Sequence, residues 1–271
     1  MTILIPILLL AGIAVICAAI LTLASIFMSV EEDETALAIR DCLPGANCGA
    51  CGYSGCDGYA KALADNQTSA TNLCVPGGDK TAAEIAGILG VEAADVVEKV
   101  AYVACNGTCG AAERKYDYHG YTSCTAANLS YSGDKTCTYA CLGYGDCAKI
   151  CPNDAIYFED SIAHIDPHKC VGCGLCARIC PNNIIKIVDD TTRVAVKCSN
   201  HDKGALTRKY CTNGCIGCMK CQKTCPSGAI KVENNLATID YSLCTGCGEC
   251  AKVCPVHCIE EGNFVCGAHF N

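Results

Sequence analysis

Three stretches of this chain share one cysteine spacing: CVGCGLCARICP at 170–181, CIGCMKCQKTCP at 215–226 and CTGCGECAKVCP at 244–255. A fourth stretch, CTYACLGYGDCAKICP at 137–152, is a looser version of the same pattern. Cysteines that lie two or three residues apart in groups of four bring their thiols to one point instead of bridging distant segments. The repeat therefore indicates metal binding, and 29 cysteines among 271 residues make it the dominant feature of the chain.

The spacing C-x2-C-x2-C-x3-C-P is the bacterial ferredoxin signature, in which three cysteines hold one [4Fe–4S] cluster and the fourth ligates the neighbouring cluster. Between Cys151 and Cys170, and again between Cys225 and Cys244, the chain holds two short alternating runs. These runs, AIYFE with IAHID and AIKVE with LATID, predict β-hairpins. Two tandem 2[4Fe–4S] ferredoxin-like modules follow from the pattern, at 132–190 and 215–271.

Because paired motifs exchange their fourth cysteine, the two modules predict four ligand sets. In the first module these are Cys137, Cys141, Cys147 and Cys180, and then Cys151, Cys170, Cys173 and Cys176. In the second module they are Cys215, Cys218, Cys221 and Cys254, and then Cys225, Cys244, Cys247 and Cys250. The gaps of three and five residues after Cys137 and Cys141 depart from the plain signature. A zinc ribbon is the alternative, but it needs two CxxC knuckles separated by a longer loop.

A fifth set lies near the N-terminus, in LPGANCGACGYSGC and a later cysteine: Cys48, Cys51, Cys56 and Cys74. Four glycines between 45 and 55 let the backbone approach the sulfurs and offer amides to them. This spacing fits either a [4Fe–4S] cluster or zinc. The region 31–80 is therefore predicted to be a small helical four-cysteine domain, with an amphipathic helix at 57–65.

The remaining cysteines divide into two groups. The first group has five members: Cys105, Cys109, Cys124, Cys198 and Cys211. Four of these five thiols would be enough to hold a sixth cluster, and the alternative is that they are structural thiols. In the second group, Cys258 and Cys266 are not expected to bind metal, Cys17 is expected to be an apolar residue of the N-terminal stretch, and Cys42 is left over. The sequence thus predicts five [4Fe–4S] clusters, or six if the first group contributes one.

Composition excludes several classes of function. A formal net charge of −8 disfavours nucleic-acid binding. The chain has no G-x-G-x-x-G after a strand and no P-loop, so we expect no nicotinamide, flavin or ATP site and no complete catalytic site. Thiolate-held iron–sulfur clusters need reducing conditions, which favours the cytoplasmic side.

The mean hydropathy of +0.25 has a local cause, an apolar stretch over 1–30 that holds no charged residue or histidine. About 20 apolar residues suffice to cross a bilayer, so the sequence predicts a single transmembrane anchor. A cleaved signal peptide is the alternative, but its apolar region is shorter and follows a basic segment. The predicted class is therefore α+β, with a single N-terminal transmembrane helix, the four-cysteine domain and the two modules.

Two further segments join these units. The connector 81–131 is predicted to begin with two short helices over 81–105, since Thr81 and Glu84 form a capping box and Gly90 interrupts the apolar pattern. The segment 191–214 is a basic insert between the two modules, and its cations are Arg193, Lys197, Lys203, Arg208 and Lys209. A basic surface on an acidic protein suits an acidic electron donor, although a solvated loop or a subunit contact is the simpler interpretation.

The apolar N-terminus, LPGANCGACGYSGCDGYA, VACNGTCG, CLGYGDCAKICPNDAI, VKCSNHDKGA and the ferredoxin repeats together resemble the B subunit of the Rnf complex. The resemblance covers nearly the whole chain. It implies an electron-transfer subunit of a membrane-bound ferredoxin:NAD oxidoreductase that exports Na⁺ or H⁺. The second module resembles that of longer family members.

The resemblance also implies partners. Reduced ferredoxin or flavodoxin would donate electrons, and other Rnf-type membrane subunits would accept them at the cell membrane, with the iron–sulfur domains on the cytoplasmic side. A freestanding membrane-tethered polyferredoxin without ion pumping is a second hypothesis, and a structural zinc protein is a third. The sequence leaves the transported ion and the order of the clusters open.

Overall fold

The computed structural model describes residues 4–27 and 33–262, so Cys266 lies outside the described residues. Ten α-helices occur in these ranges: α1 Leu4–Phe27, α2 Glu34–Cys42, α3 Cys56–Ala64, α4 Gly78–Leu89, α5 Cys124–Leu129, α6 Asp146–Lys149, α7 Leu175–Ile179, α8 Gly204–Tyr210, α9 Lys220–Thr224 and α10 Glu249–Lys252. Eight strands occur in the same ranges: β1 Lys99–Val103, β2 Ile156–Glu159, β3 Ile162–Ile165, β4 Ile185–Asp189, β5 Val194–Val196, β6 Ile230–Glu233, β7 Leu236–Ile239 and β8 Ile259–Glu261.

The structure corrects the prediction of a transmembrane anchor over 1–30. In the part of the chain that the structure describes, no helix is long and apolar enough to cross a membrane.

The four-cysteine domain is a small helical unit. α2, α3 and α4 pack around Ile39, Tyr59 and Ile85, all of which are fully buried. The Tyr59 hydroxyl donates to the Ala70 carbonyl at 2.6 Å, so the one polar atom of the ring has a partner inside this core. The predicted amphipathic helix is α3, whose buried face carries Cys56 toward the other cysteines of the domain.

The helical prediction for 81–105 is only half right. α4 begins at Gly78, before the proposed capping box, and ends where Gly90 takes a left-handed conformation with φ of 67°. The second half is strand β1, not a helix. Its β-branched residues, among them Val100 and Val103, pair with β4 and are buried there, so tertiary packing decides the conformation.

Both ferredoxin-like modules have the same strand arrangement. The predicted hairpins are observed as β2 paired with β3 and β6 paired with β7, both antiparallel. Each module also has an outer antiparallel pair, β1 with β4 and β5 with β8. The opening strand of each outer pair comes from a segment outside the predicted modules, β1 from 81–131 and β5 from 191–214. Each module is thus completed by a strand that precedes its cysteine motif.

Candidate metal centres

Cysteines gather at six places in the described structure, which we number as sites 1 to 6. Site 1 is Cys48, Cys51, Cys56 and Cys74; site 2 is Cys151, Cys170, Cys173 and Cys176; site 3 is Cys124, Cys141, Cys147 and Cys180; site 4 is Cys105, Cys137, Cys198 and Cys211; site 5 is Cys215, Cys218, Cys221 and Cys254; site 6 is Cys225, Cys244, Cys247 and Cys250. Sites 2 to 6 each line a pocket, and the empty volume of these pockets, open solvent included, lies between 300 and 370 Å³. The site 5 pocket is also lined by a fifth cysteine, Cys258. Similar pocket sizes and at least four cysteines in each pocket point to one kind of occupant.

The structure brings together the residues predicted for sites 1, 2, 5 and 6 without change. Site 3 differs from its predicted set in one residue, because Cys124 lines this pocket in the place expected for Cys137. Cys137 lines site 4 instead, together with three members of the leftover group. Cys109 from that group is exposed, lines none of the five pockets and lies 3.3 Å from Ser161 Oγ.

A recurrent backbone turn positions the third cysteine of each ferredoxin motif. The helices α6, α7, α9 and α10 each begin after a residue in the left-handed conformation, with φ between 60° and 87°. This residue is glycine in three of the helices and Met219 in α9. The turn reverses the chain sharply, so the next cysteine enters the pocket from the first turn of the short helix. Cys147, Cys176, Cys221 and Cys250 are all buried in this way.

Backbone amides point at the sulfurs. Ala101 donates to Cys170 Sγ at 3.4 Å, Ala155 to Cys151 Sγ at 3.4 Å, and Ala163 to Cys141 Sγ at 3.5 Å. Hydrogen bonds of this kind stabilise thiolates and tune the reduction potential of iron–sulfur clusters. The sulfurs at these sites are therefore surrounded as thiolate ligands are.

Site 1 is built from a loop and the start of α3. The Asn47 side chain accepts a hydrogen bond from the Cys56 amide at 2.8 Å, which fixes the loop that carries Cys48 against the helix. Burial raises the pKa of Cys74 to about 11, and negative charge on Cys56, Cys48 and Cys51 contributes to the rise, as expected for four thiols in one place. Cys42 is not among them, since its thiol donates to the Ala38 carbonyl at 3.3 Å.

Asp146 holds the segment that brings Cys124 to site 3. Its carboxylate accepts from Ser123 Oγ at 2.7 Å, from the Thr125 amide at 3.0 Å and from Thr125 Oγ1 at 3.2 Å. These donors are the residues on either side of Cys124, and Asp146 itself immediately precedes Cys147. One side chain therefore ties two cysteines of site 3 that lie far apart in sequence. Burial opposes ionisation of Asp146, but these hydrogen bonds outweigh it and lower the pKa of the carboxyl.

Burial makes most of these thiols weak acids. It raises the pKa of Cys147, Cys176 and Cys198 to about 12, and nearby thiolates add to the effect. In site 5, hydrogen bonding to Cys258 lowers the pKa of Cys215 to about 6 and of Cys254 to about 5, whereas burial raises the pKa of Cys221 in the same site to about 11. Positive charge from iron would stabilise the thiolates at all the sites.

Within the described ranges, no group of three or more His, Cys, Asp or Glu side chains has the arrangement of a site for a single metal ion. In the same ranges, no disulfide links the cysteines.

Family models match three parts of the chain. The model described as "Putative Fe-S cluster" matches residues 43–76, which contain site 1. A 4Fe-4S binding domain matches 163–186, and a 4Fe-4S dicluster domain matches 208–261. The fold and the sites thus define an iron–sulfur protein built from ferredoxin-type domains, and its cofactors are [4Fe–4S] clusters.

Three curated relatives, each named as the B subunit of an oxidoreductase complex, are similar over most of the chain. The B subunit of the Na(+)-translocating ferredoxin:NAD(+) oxidoreductase complex of Acetobacterium woodii is 43% identical over 88% of this chain and 72% of its own length. The proton-translocating counterpart of Clostridium ljungdahlii is 44% identical over 76% and 72%. The B subunit of the ion-translocating oxidoreductase complex of Methanosarcina acetivorans is 38% identical over 76% and 78%.

This chain belongs to the family of B subunits of ion-translocating ferredoxin:NAD oxidoreductases, the Rnf-type complexes. It is an iron–sulfur electron-transfer subunit. The resemblance seen in the sequence is confirmed, and the hypothesis of a structural zinc protein is wrong.

Proposed function

We propose that this chain conducts electrons from reduced ferredoxin, through its row of cysteine sites, to the membrane partners of an ion-translocating ferredoxin:NAD oxidoreductase. When bound, [4Fe–4S] clusters supply one-electron carriers. The observation that carries the proposal is that the sites adjoin one another across domain boundaries. The chain has no motif for nicotinamide or flavin, so partner subunits carry those groups.

The contact between site 1 and site 2 joins the four-cysteine domain to the first module. Burial raises the pKa of Cys173, and charge on Cys48 contributes to the rise, so thiols of the two sites face each other. The side chain of Arg178, which belongs to α7, supports this contact, since a Cβ on Gly49 would lie 3.2 Å from its Nη1. Site 2 in turn adjoins site 3, because charge on Cys176 raises the pKa of Cys147.

The exposed end of the row is the second module. Cys218 of site 5 and Cys247 of site 6 are both exposed, whereas Cys48, Cys56 and Cys74 of site 1 are buried. An external donor must approach a carrier closely, so electrons enter at the second module. They leave through site 1 toward the membrane partners, and the iron–sulfur domains lie on the cytoplasmic side, where thiolate ligands stay reduced.

Delivery through site 1 is tested with the Cys51→Ser variant in the intact complex. We expect ferredoxin to reduce the distal clusters as before, while NAD reduction falls to background. The matched control is Cys42→Ser, which replaces a thiol of the same domain outside site 1 and should leave NAD reduction unchanged. Unchanged NAD reduction in the Cys51→Ser complex would place site 1 off the electron path.

A second experiment separates this function from a freestanding polyferredoxin. The chain is purified from membranes without crosslinking, and the preparation is examined for flavin-bearing partner subunits. Their recovery in fixed ratio to this chain supports membership of the complex. Isolation of the chain alone, with full electron uptake from ferredoxin, would favour the freestanding protein.

A further inference from the structure

We propose that site 4 holds a sixth [4Fe–4S] cluster between the two ferredoxin-like modules, and that Cys124 instead of Cys137 completes site 3. This inference rests on the proposed electron-transfer function. The ligands of the sixth cluster would be Cys105, Cys137, Cys198 and Cys211.

The two modules contribute to site 4 in the same way. Cys105 lies two residues after the end of β1, and Cys198 lies two residues after the end of β5. β1 and β5 are the corresponding opening strands of the outer sheets. Each cysteine therefore leaves an equivalent strand in its own module, and the two meet in one pocket.

The other two cysteines are also equivalent in position. Cys137 lies four residues before Cys141, and Cys211 lies four residues before Cys215. Cys141 and Cys215 correspond to each other, because each lies six residues before the third cysteine of its motif. Site 4 thus takes Cys105 and Cys137 from the first module and the two equivalent cysteines, Cys198 and Cys211, from the second. A site on an approximate twofold axis would have this composition.

Hydrogen bonds repeat the same symmetry. The Cys141 amide donates to Cys105 Sγ at 3.4 Å, and the Cys215 amide donates to Cys198 Sγ at 3.2 Å. The side chain of Asn200, which is 2% exposed, donates to Cys137 Sγ at 3.3 Å. Amide donors on sulfur are the pattern seen at sites 2 and 3, and they match thiolates that carry iron.

The same two amides show what site 4 connects. Cys141 belongs to site 3 and Cys215 belongs to site 5, so each donates across the boundary between neighbouring sites. Without site 4, the pockets of the first module and those of the second would be separated by the connector and the basic insert. With it, the six sites form one continuous row from the exposed second module to site 1.

The position of Cys124 completes the assignment. In site 5 the middle cysteine of the motif is Cys218, and site 3 has no cysteine at the corresponding place between Cys141 and Cys147. Cys124 enters the pocket from α5 and is held there by Asp146. Site 3 therefore has four thiols without Cys137, which leaves Cys137 for site 4.

Iron counting on pairs of substitutions tests which cysteines share a cluster. With four irons per cluster, the full chain assembled anaerobically should hold about 24 irons. Cys198→Ala should lose about four of them, and adding Cys137→Ala should lose no more, because both remove the same cluster. Combining Cys137→Ala with Cys141→Ala should lose about eight, whereas combining Cys124→Ala with Cys141→Ala should lose about four.

The matched control is Cys109→Ala, which removes a thiol of the connector that lines none of the five pockets and should keep all the iron. EPR spectra of Cys198→Ser, which preserves side-chain volume, should show one altered cluster signal and leave the others unchanged. A loss of only four irons in the Cys137→Ala Cys141→Ala pair overturns the assignment of Cys137. About 20 irons in the wild type with no loss in Cys198→Ala overturns the sixth cluster alone, whereas little iron in the wild type overturns the proposed function itself.

Discussion

The sulfur of Cys258 lies 3.6 Å from the sulfur of Cys254, inside the pocket of site 5. Cys258 is 1% exposed and also bonds to Cys215, and the two neighbouring thiolates, together with burial, raise the pKa of its own thiol far above the ordinary value. It therefore keeps its proton and shares this one donor between the sulfurs of Cys254 and Cys215. The other motifs have Ala155, Ile184 and Ala229 at the corresponding place, four residues after the cysteine that precedes proline.

We expect Cys258→Ala to lower the reduction potential of the site 5 cluster. Reduction adds negative charge to the ligands, so hydrogen bonds from Cys258 favour the reduced form more than the oxidised form. If the hydrogen bonds stabilise the reduced form by about 1 kcal/mol more than the oxidised form, their loss lowers the one-electron potential by about 40 mV. EPR-monitored redox titration of the full chain measures the shift. Cys42→Ala should leave all potentials in place, and a site 5 potential that stays constant in Cys258→Ala would contradict the donor role.

Lys135 is a buried cation between sites 3 and 4. It is 1% exposed, and its Nζ donates to the carbonyls of Gly107 at 3.0 Å and Ser161 at 3.1 Å. Its charge favours the thiolates of Cys141 in site 3 and Cys211 in site 4. The side chain thus ties the connector to the β2–β3 turn and places positive charge beside both sites.

Lys135→Met should destabilise the chain and shift two potentials downward. The substitution leaves the buried Gly107 carbonyl and the partly buried Ser161 carbonyl without this donor. An unsatisfied buried carbonyl costs about 1 to 3 kcal/mol, and the substitution also removes a charge that stabilises the reduced clusters. Anaerobic denaturant unfolding and redox titration measure the two effects. Lys115→Met, which removes an exposed lysine of the neighbouring connector, is the matched control. Equal potentials in the two variants would show that Lys135 has only a structural role.

The basic insert forms α8, and its exposed cations lie beside site 5. Lys203, Arg208 and Lys209 are exposed, whereas Lys197 is half-buried, and burial lowers its pKa. α8 packs tightly on the loop of site 5, because a Cβ on Gly204 would clash with the Ile216 carbonyl oxygen. The three cations therefore adjoin the loop that carries the exposed Cys218.

Reversal of Lys203, Arg208 and Lys209 to Glu should slow reduction by ferredoxin about tenfold or more at low salt, because steering charges raise association rates by roughly 10- to 1000-fold. The rate should also depend less on ionic strength. Stopped-flow reduction measures both, with a small uncharged reductant as the control donor. Reversal of Lys220, Lys223 and Lys231 provides an equal change of charge elsewhere on the second module. If that reversal slows ferredoxin instead, the donor docks on the last repeat pair.

Most of the cysteine sets could be predicted from the repeats, because the cysteines of each motif lie at fixed separations from a proline. Site 3 is the set for which spacing alone does not predict the cysteines that the structure brings together. Counting back six residues from Cys147 leads to Cys141, so under the proposed assignment Cys137 lies outside the motif of site 3. No spacing rule indicates Cys124, since Asp146 and tertiary packing bring it to the pocket. Strand β1 could not be predicted from local sequence either, because it pairs with β4, which lies more than 80 residues later in the chain, after the cysteine motifs of the first module.

Met219 is the one non-glycine residue among the left-handed positions that precede the four short helices of the motifs. Its φ is 60°, where a side chain costs about 1 to 2 kcal/mol. Met219→Gly should remove this strain and, after the greater entropy of unfolded glycine is subtracted, stabilise the chain by about 0.5 to 1 kcal/mol.

The reciprocal variant is Gly174→Ala, where φ is 73° and a Cβ would meet nothing within 4 Å, so any loss of stability reflects the backbone conformation alone. Anaerobic guanidinium unfolding, followed through cluster absorbance, should move in opposite directions for the two variants. Shifts of the same sign would show that the turn conformation does not limit stability.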